Sequence, residues 1–389
     1  MAHLLVFLIS SFHAAHAVFD LTSCNGVEGA CELRLEHVTL PGAHNAGAGF
    51  DGVLMYHNPW MEALSCFYRN QGASVYDLLN RGVRYLDIDL CYEERDGYDK
   101  GVWACHGDAY GGPMTMFLEQ VDEWLSEDDN RNDVVVLHFN RDHEQGGNEE
   151  KIGDGIIKLL EDQWGPSQSG IRMQSDIGAT LGESVADNKR VFIFLHSRLQ
   201  QHLQSGKPYL FSERFIGYTW RDEKFIGPNA CTRFAKSLGS KCSHEEWHKF
   251  IRLDFYMPET YQPRVMLSKR SSNTTVATET AVIAKRGMTK ATNVTEETGT
   301  KRVIFAGALL TPACLDDVAT LCNEKLKIAV DKCISSIRPW RTINFMPIDY
   351  ADMEVGRKQV DIAKDLTKKQ VKRRKMLKKK HARRHKKQQ

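Results

Sequence analysis

Beyond its first twenty residues, the chain has no apolar run long enough to span a bilayer, which removes a bundle of membrane helices from the possible architectures. It also lacks the paired Cys-x-x-Cys or Cys/His spacing of a zinc module, so its ten cysteines are not read as metal ligands. No segment repeats another, which argues against a solenoid or a propeller. Excess charge is small, formally +2, but this near-balance hides an asymmetry. Residues 357–389 hold sixteen Lys/Arg against two Asp, a surplus of fourteen, and the body before them therefore carries −12. An acidic globule with a basic tail is the outcome.

What is present suits a folded enzyme-sized domain. The 389 residues are 42% hydrophobic and 26% charged, the usual balance of a globular chain with a sizeable core. The N-terminus, "MAHLLVFLISSFHAAHAVFD", places an apolar run at Leu4–Phe12 before the small-x-small triplet Ala15-His16-Ala17. That order predicts a signal peptide over 1–17, although no Lys or Arg precedes the apolar run. The even cysteine count then reads as disulfides in an oxidising compartment. Cys24/Cys31 and Cys231/Cys242 are close enough for local bridges, but spacing leaves the connectivity open. Sequons at Asn273 and Asn293, inside a Thr-rich segment over 271–300, predict glycosylation of an exposed loop. Together these features predict a secreted, extracellular protein.

Apolar β-branched runs predict buried strands at 35–41, 83–90, 133–140, 190–196, 263–267, 302–307 and 341–349. Helical patterns fall between them at 73–81, 114–126, 149–162, 176–187, 244–251 and 314–336. Strand alternating with helix argues for a parallel sheet covered by helices. About seven such units favour an α/β (β/α)8 TIM-type barrel, a distorted single domain over 18–356 with loop insertions, over an open sheet. The tail at 357–389 reads as a disordered polybasic extension.

Barrel chemistry gathers at the C-terminal strand ends. Here those ends offer His44 and Asn45, Asp87 and Asp89, His106, then His138 and Asn140. Asp87 and Asp89 share parity on one strand, so both carboxylates face the same side. Such a pair repels unless a proton or cation sits between. A Ca²⁺ ion held by Asn45, Asp87, Asp89 and Asn140 is one solution. The plainer alternative pairs Asp87 with Arg81 or Arg84. His138, with Arg141, Asp142 and His143, is read as solvated loop or as support behind the site. Lys269 and Arg270 end another strand and are candidates for a phosphate contact.

The blocks "LPGAHNAG", "RGVRYLDIDLCY", "ACHG" and "VVVLHFNRD", in that order, resemble the X region of the phosphatidylinositol-specific phospholipase C superfamily, nearest its secreted PLC-like phosphodiesterases. "RTINFMPIDYAD" resembles the closing strand of that barrel. The resemblance implies a phosphoric diester hydrolase that attacks phosphorus with the inositol 2-hydroxyl and releases diacylglycerol and a cyclic phosphate. His106 is then the general acid, and His44 stabilises the phosphorane or acts as base. "DID" follows the metal-dependent pattern of the family, whose bacterial members have Arg where this chain has Asp89; Asn140 departs from it, since Glu is usual there. The implied partners are a phospholipid substrate and, through 357–389, an anionic membrane surface. Nucleic acid conflicts with the signal peptide and acidic body. Rival readings are a phosphodiesterase for another headgroup (a GPI anchor, a sphingolipid or a glycerophosphodiester) and a non-catalytic lipid-binding barrel. The glycerophosphodiester branch is disfavoured by His44-Asn45-Ala46, where that family has His-Arg-Gly.

Overall fold

The computed structural model describes residues 21–48, 55–56, 68–94, 97–107, 109–141, 148–168, 170–199, 206–219, 229–256, 303–305, 308–310, 319–320 and 322–388. The predicted signal peptide, the sequons, Lys269, Arg270 and the strand expected at 263–267 lie outside the described residues.

The first half of the sheet comprises β1 (Leu40–Ala43), β2 (Tyr85–Glu93), β3 (Gly101–His106), β4 (Ala109–Pro113), β5 (Val135–Arg141) and β6 (Val191–Leu195). It continues through β7 (Leu210–Ser212), β8 (Ile216–Tyr218), β9 (Phe250–Arg252) and β10 (Phe345–Ile348). Eight of them, all but β3 and β4, are parallel neighbours in the order β7-β6-β5-β2-β1-β10-β9-β8. β3 and β4 form an antiparallel hairpin on the extended end of β2. Because β10 pairs with β1, the order closes on itself except between β7 and β8. The reason is local. Only Glu213–Phe215 joins those two strands, and parallel partners need a crossover of a dozen residues or more. The result is a curled (β/α) barrel with one unzipped seam.

Side-chain parity builds the two layers of the core. Tyr85, Val136, Phe192, Phe194, Phe250 and Phe345 belong to one cluster, while their strand neighbours Leu86, Leu137, Ile193, Ile251 and Met346 belong to another. Phe194 meets both Phe250 and Phe345 at ring centroid distances of 5.4 and 5.9 Å. The first cluster therefore fills the barrel, and the second lies beneath the helices. Those helices are α1 (Val75–Asn80), α2 (Met114–Ser126), α3 (Glu149–Trp164), α4 (Leu181–Ala186), α5 (Ala230–Glu245), α6 (Leu326–Ser336) and α7 (Glu354–Gln388). α4 starts with a capping box between Thr180 and Glu183, the sequence signal expected of a helix start.

Three expectations are corrected. The helix predicted at 244–251 ends at Glu245 in α5, and Phe250–Arg252 is a barrel strand; the stretch is too short for its apolar period to be unambiguous. Among the described residues, Val303–Phe305 pairs with Ala308–Leu310 in a two-stranded hairpin and with no barrel strand. The tail is not disordered: α7 packs Val360, Ala363, Leu366 and Val371 against the body, which supplies the burial that its polar composition alone does not.

Disulfides join Cys24–Cys31, Cys91–Cys105, Cys231–Cys322 and Cys242–Cys333. The Cys24–Cys31 bridge is local as expected, but Cys231 and Cys242 do not pair with each other. They sit three turns apart on one face of α5. Cys322 and Cys333 carry the same spacing, so the two bridges rivet α5 to α6 and to the turn of chain just ahead of it. We expect the double variant Cys242→Ala/Cys333→Ala to lose about 3 kcal/mol in urea unfolding. The Cys231–Cys322 bridge still closes the long loop in that variant, so unfolding should remain a single transition.

Candidate active site

Above the aromatic filling, the barrel interior turns polar by continuing the same parity. Tyr85 is followed by Asp87 on β2, Val136 by His138 on β5, and Phe250 by Arg252 on β9. Asp87 is 1% and Arg252 2% exposed. The guanidinium grips the carboxylate in a fork: Nη1 donates to Oδ1 and Nη2 to Oδ2, each at 2.8 Å. Arg252 Nε donates to Asp254, and Nη1 also reaches the Tyr85 hydroxyl at 2.9 Å. His138 Nδ1 lies 3.2 Å from Asp87 Oδ1, and its Nε2 lies 3.1 Å from the Tyr218 hydroxyl. Burial opposes ionisation of Asp87, but Arg252 and the His138 hydrogen bond outweigh it and hold the carboxyl far below its ordinary range. Burial likewise opposes the Arg252 charge, and Asp87 more than restores it.

The rim is built where β1 ends. His44 N donates to the Ile348 carbonyl at 3.0 Å, and Ala46 N to the Asp87 carbonyl at 2.7 Å. Asn45, between them, turns left-handed at φ 43°, a conformation that Asn tolerates better than most residues. This turn is why two successive residues both belong to the site. Gln71 staples the turn, its Nε2 donating to the His44 and Ile348 carbonyls at 2.7 and 3.0 Å. The Asp349 carboxylate, just past β10, lies 2.8 Å from His44 Nδ1 and accepts from Asn70 Nδ2 at 2.8 Å. Tyr256 stacks on the His44 ring at a centroid separation of 3.5 Å; burial, then Asp254, keep its phenol protonated far above the usual range.

Opposite stands His106, at the end of β3, with its ring centroid 6.4 Å from that of His44. Its Nδ1 lies 2.9 Å from the Tyr68 carbonyl. A carbonyl only accepts, so Nδ1 carries the proton in the neutral ring. The Asp349 carboxylate fixes the same tautomer in His44. Next to His106, the Cys91–Cys105 bridge ties β3 to β2, and Cys105 lies across from Asp89 in register.

The structure thus brings His44, Asn45, Asp87, His106 and Asn140 to one mouth, with Asp89 in register beside Asn140. His138 is fully buried within the Asp87 network, not solvated, because its parity on β5 points it inward. Neither Arg81 nor Arg84 pairs with Asp87: Arg84 holds Asp133 at 2.7 Å, and Arg81 donates to the Asp352 carbonyl. Arg141 pairs with Glu149 at 2.9 Å, while Asp142 and His143 lie outside the described residues. Sequence reasoning missed Arg252, Asp254, Tyr256, Asn70 and Asp349. "FIRLDFY" alternates as a strand does, and reading it so would have aimed Arg252, Asp254 and Tyr256 at one face.

The four oxygen donors expected around calcium do not form a cage. Both Asp87 oxygens are taken by a guanidinium, and the Asn140 amide donates to Asp87 Oδ1. A divalent ion in contact with that carboxylate would share it with a buried cation. Asn45 Oδ1 is buried without a hydrogen-bond partner, leaving one acceptor for a ligand. Among the described residues no three His, Cys, Asp or Glu side chains converge as a metal site.

Comparison with known proteins matches the profile of the PI-PLC X 1 family to residues 30–225. A PI-PLC X domain-containing protein 1 of Arthroderma benhamiae is 28% identical over 204 residues, 49% of this chain and 55% of the relative. The chain thus spans little more than half the length of that relative. Phosphatidylinositol-specific phospholipase C of Listeria monocytogenes superposes with a TM-score of 0.46 at 13% identity, covering 87% of this chain and 97% of that one. The S. aureus enzyme gives 0.47 at 14%, with 85% and 93% covered.

Replacing Arg252 by Leu leaves Asp87 buried without its cation, at an expected cost of about 3–5 kcal/mol near neutral pH. A depressed carboxyl stabilises the fold above its ordinary pKa of 3.8 and loses that contribution as pH falls through its folded value. In Arg252→Leu the buried carboxyl instead takes up a proton, so the gap to wild type should narrow in acid. Urea unfolding of both proteins across pH tests this; a gap that is constant with pH would remove Asp87 from the explanation.

Proposed function

Since the chain belongs to the PI-PLC X family, we propose that it is a secreted phosphodiesterase that cleaves the glycerol–phosphate bond of phosphatidylinositol-like lipids. The observation that carries this reading is the facing pair of histidines, one backed by Asp349 and the other by a carbonyl, with 6.4 Å between ring centroids. In this reading both imidazoles address one phosphate.

In this reading neutral His44 takes the proton of the inositol 2-hydroxyl at Nε2, and the Asp349 carboxylate stabilises the imidazolium that forms. The hydroxyl oxygen bonds to phosphorus. Imidazolium His106 gives its Nε2 proton to the glycerol oxygen as the phosphorus–oxygen bond breaks. Diacylglycerol and a 1,2-cyclic phosphate leave, and the two histidines have exchanged protonation states. Asn45 Oδ1 is the acceptor available for a substrate hydroxyl. Arg252 acts through Asp87 as a positioning residue, since it is buried beneath the mouth. The chain's own residues make up this sequence of events, with no step through calcium. Four disulfides are compatible with an extracellular setting.

Turnover of phosphatidylinositol, followed by phosphorus NMR, should yield a cyclic inositol phosphate. His44→Ala and His106→Ala should each lower kcat by about 10²–10⁴; Asp349→Asn should lower kcat with KM little changed. Wild-type rates for either histidine variant would overturn the assignment. Excess chelator should leave the rate unaltered, whereas strict calcium dependence would overturn the metal-free sequence of events.

A further inference from the structure

Helix α7 begins five residues after Asp349, at the mouth, and runs down the outside of the barrel. Gln359 donates to the Gly42 carbonyl at 2.9 Å, near the upper end of β1. Two turns on, Thr367 Oγ1 accepts from Thr39 N at 3.0 Å, below the lower end of that strand. Val371 then lies against Gly29, and Lys378 Nζ reaches Glu32 at 2.6 Å. β1 climbs toward His44, so this order of contacts carries the helix to the face opposite the catalytic mouth.

What lies past Val371 differs from what precedes it. Lys372–Lys386 holds ten Lys/Arg and no acid, none of these residues is buried, and the segment is about 22 Å long. At 100° per residue the ten cations fall on every side of the helix. Met376 and Leu377 are adjacent and exposed, so they form no apolar stripe of the kind an interfacial membrane helix needs. A planar anionic bilayer would meet only one side of this rod. It would also draw the opposite face of the barrel, and not the mouth, to the lipid. The anionic leaflet is, besides, the cytoplasmic one, whereas the four disulfides among the described residues suit a compartment where thiols are oxidised.

We propose that Lys372–Lys386 is a rigid binding rod for a linear sulfated polysaccharide, held away from the mouth by the buried half of α7. A flexible polyanion can wind along cations that surround a helix, and displaced counterions supply the free energy. The inference rests on the helix and the disulfides, not on the phosphodiesterase reading.

The full chain should bind heparin, with affinity falling about tenfold or more on raising salt from low to physiological. The variant Lys375→Gln/Lys379→Gln/Arg383→Gln/Arg384→Gln should bind about 100-fold more weakly, with an unchanged far-UV spectrum and melting temperature. Hydrogen exchange with heparin bound should slow within 372–386 and not at His44–Ala48. Equal binding by the variant, or protection confined to the mouth, would overturn the proposal. So would tighter binding of the full chain to phosphatidylserine vesicles or duplex DNA than to heparin at the same salt.

Discussion

The fork between Arg252 and Asp87 is the contact around which the rest of the mouth is arranged. It joins β9 to β2 across the barrel interior, and it sits at the level where aromatic packing gives way to polar groups. Two opposite charges that deep are tolerable only because each satisfies the other and the leftover donors and acceptors are used as well. Tyr85, His138, Asn140 and Asp254 complete that accounting. The network fixes how far apart the strands stand, and so where their ends carry the rim.

On that floor the two histidines are oriented by different means. His44 is set by chain geometry: a left-handed Asn45, a Gln71 staple between neighbouring strands, and a carboxylate from the next strand end. His106 is set by a hairpin that a disulfide fastens to β2. Different supports give the rings different partners, carboxylate for one and carbonyl for the other. In the proposed reaction, that difference is the physical basis for giving one ring the task of accepting a proton and the other that of donating it.

The unzipped seam between β7 and β8 and the rivets between α5 and α6 belong to one problem of closure. Short strands with a three-residue link cannot hydrogen-bond as parallel partners. The side of the barrel beyond that gap is instead held by covalent bonds from the helix that follows β8 to the helix that precedes β10 and to the residues leading into it. Aromatic contacts across the interior, Phe194 to Phe250 and Phe345 among them, keep the curl closed from within.

Local pattern determined a good deal. α2 falls where its period predicts, β5, β6 and β10 lie within their predicted runs to a residue or so, β2 runs three residues past its own, and His44, Asp87, His106 and Asn140 are legible because parity and strand ends are one-dimensional information. Tertiary structure decided the rest. Whether "HKFIRLDFY" is helix or strand depends on which neighbour accepts its edge, so Arg252 stayed hidden. The cation beside Asp87 was sought as a metal because a carboxylate pair states a need for positive charge but not its source. The source stands 165 residues further along the chain. Cys231 and Cys242 show the same limit: spacing offers a partner in sequence, and only packing of two helices reveals the partner in space. The basic tail, too, is a helix only because the barrel provides a surface on which to bury one side of it.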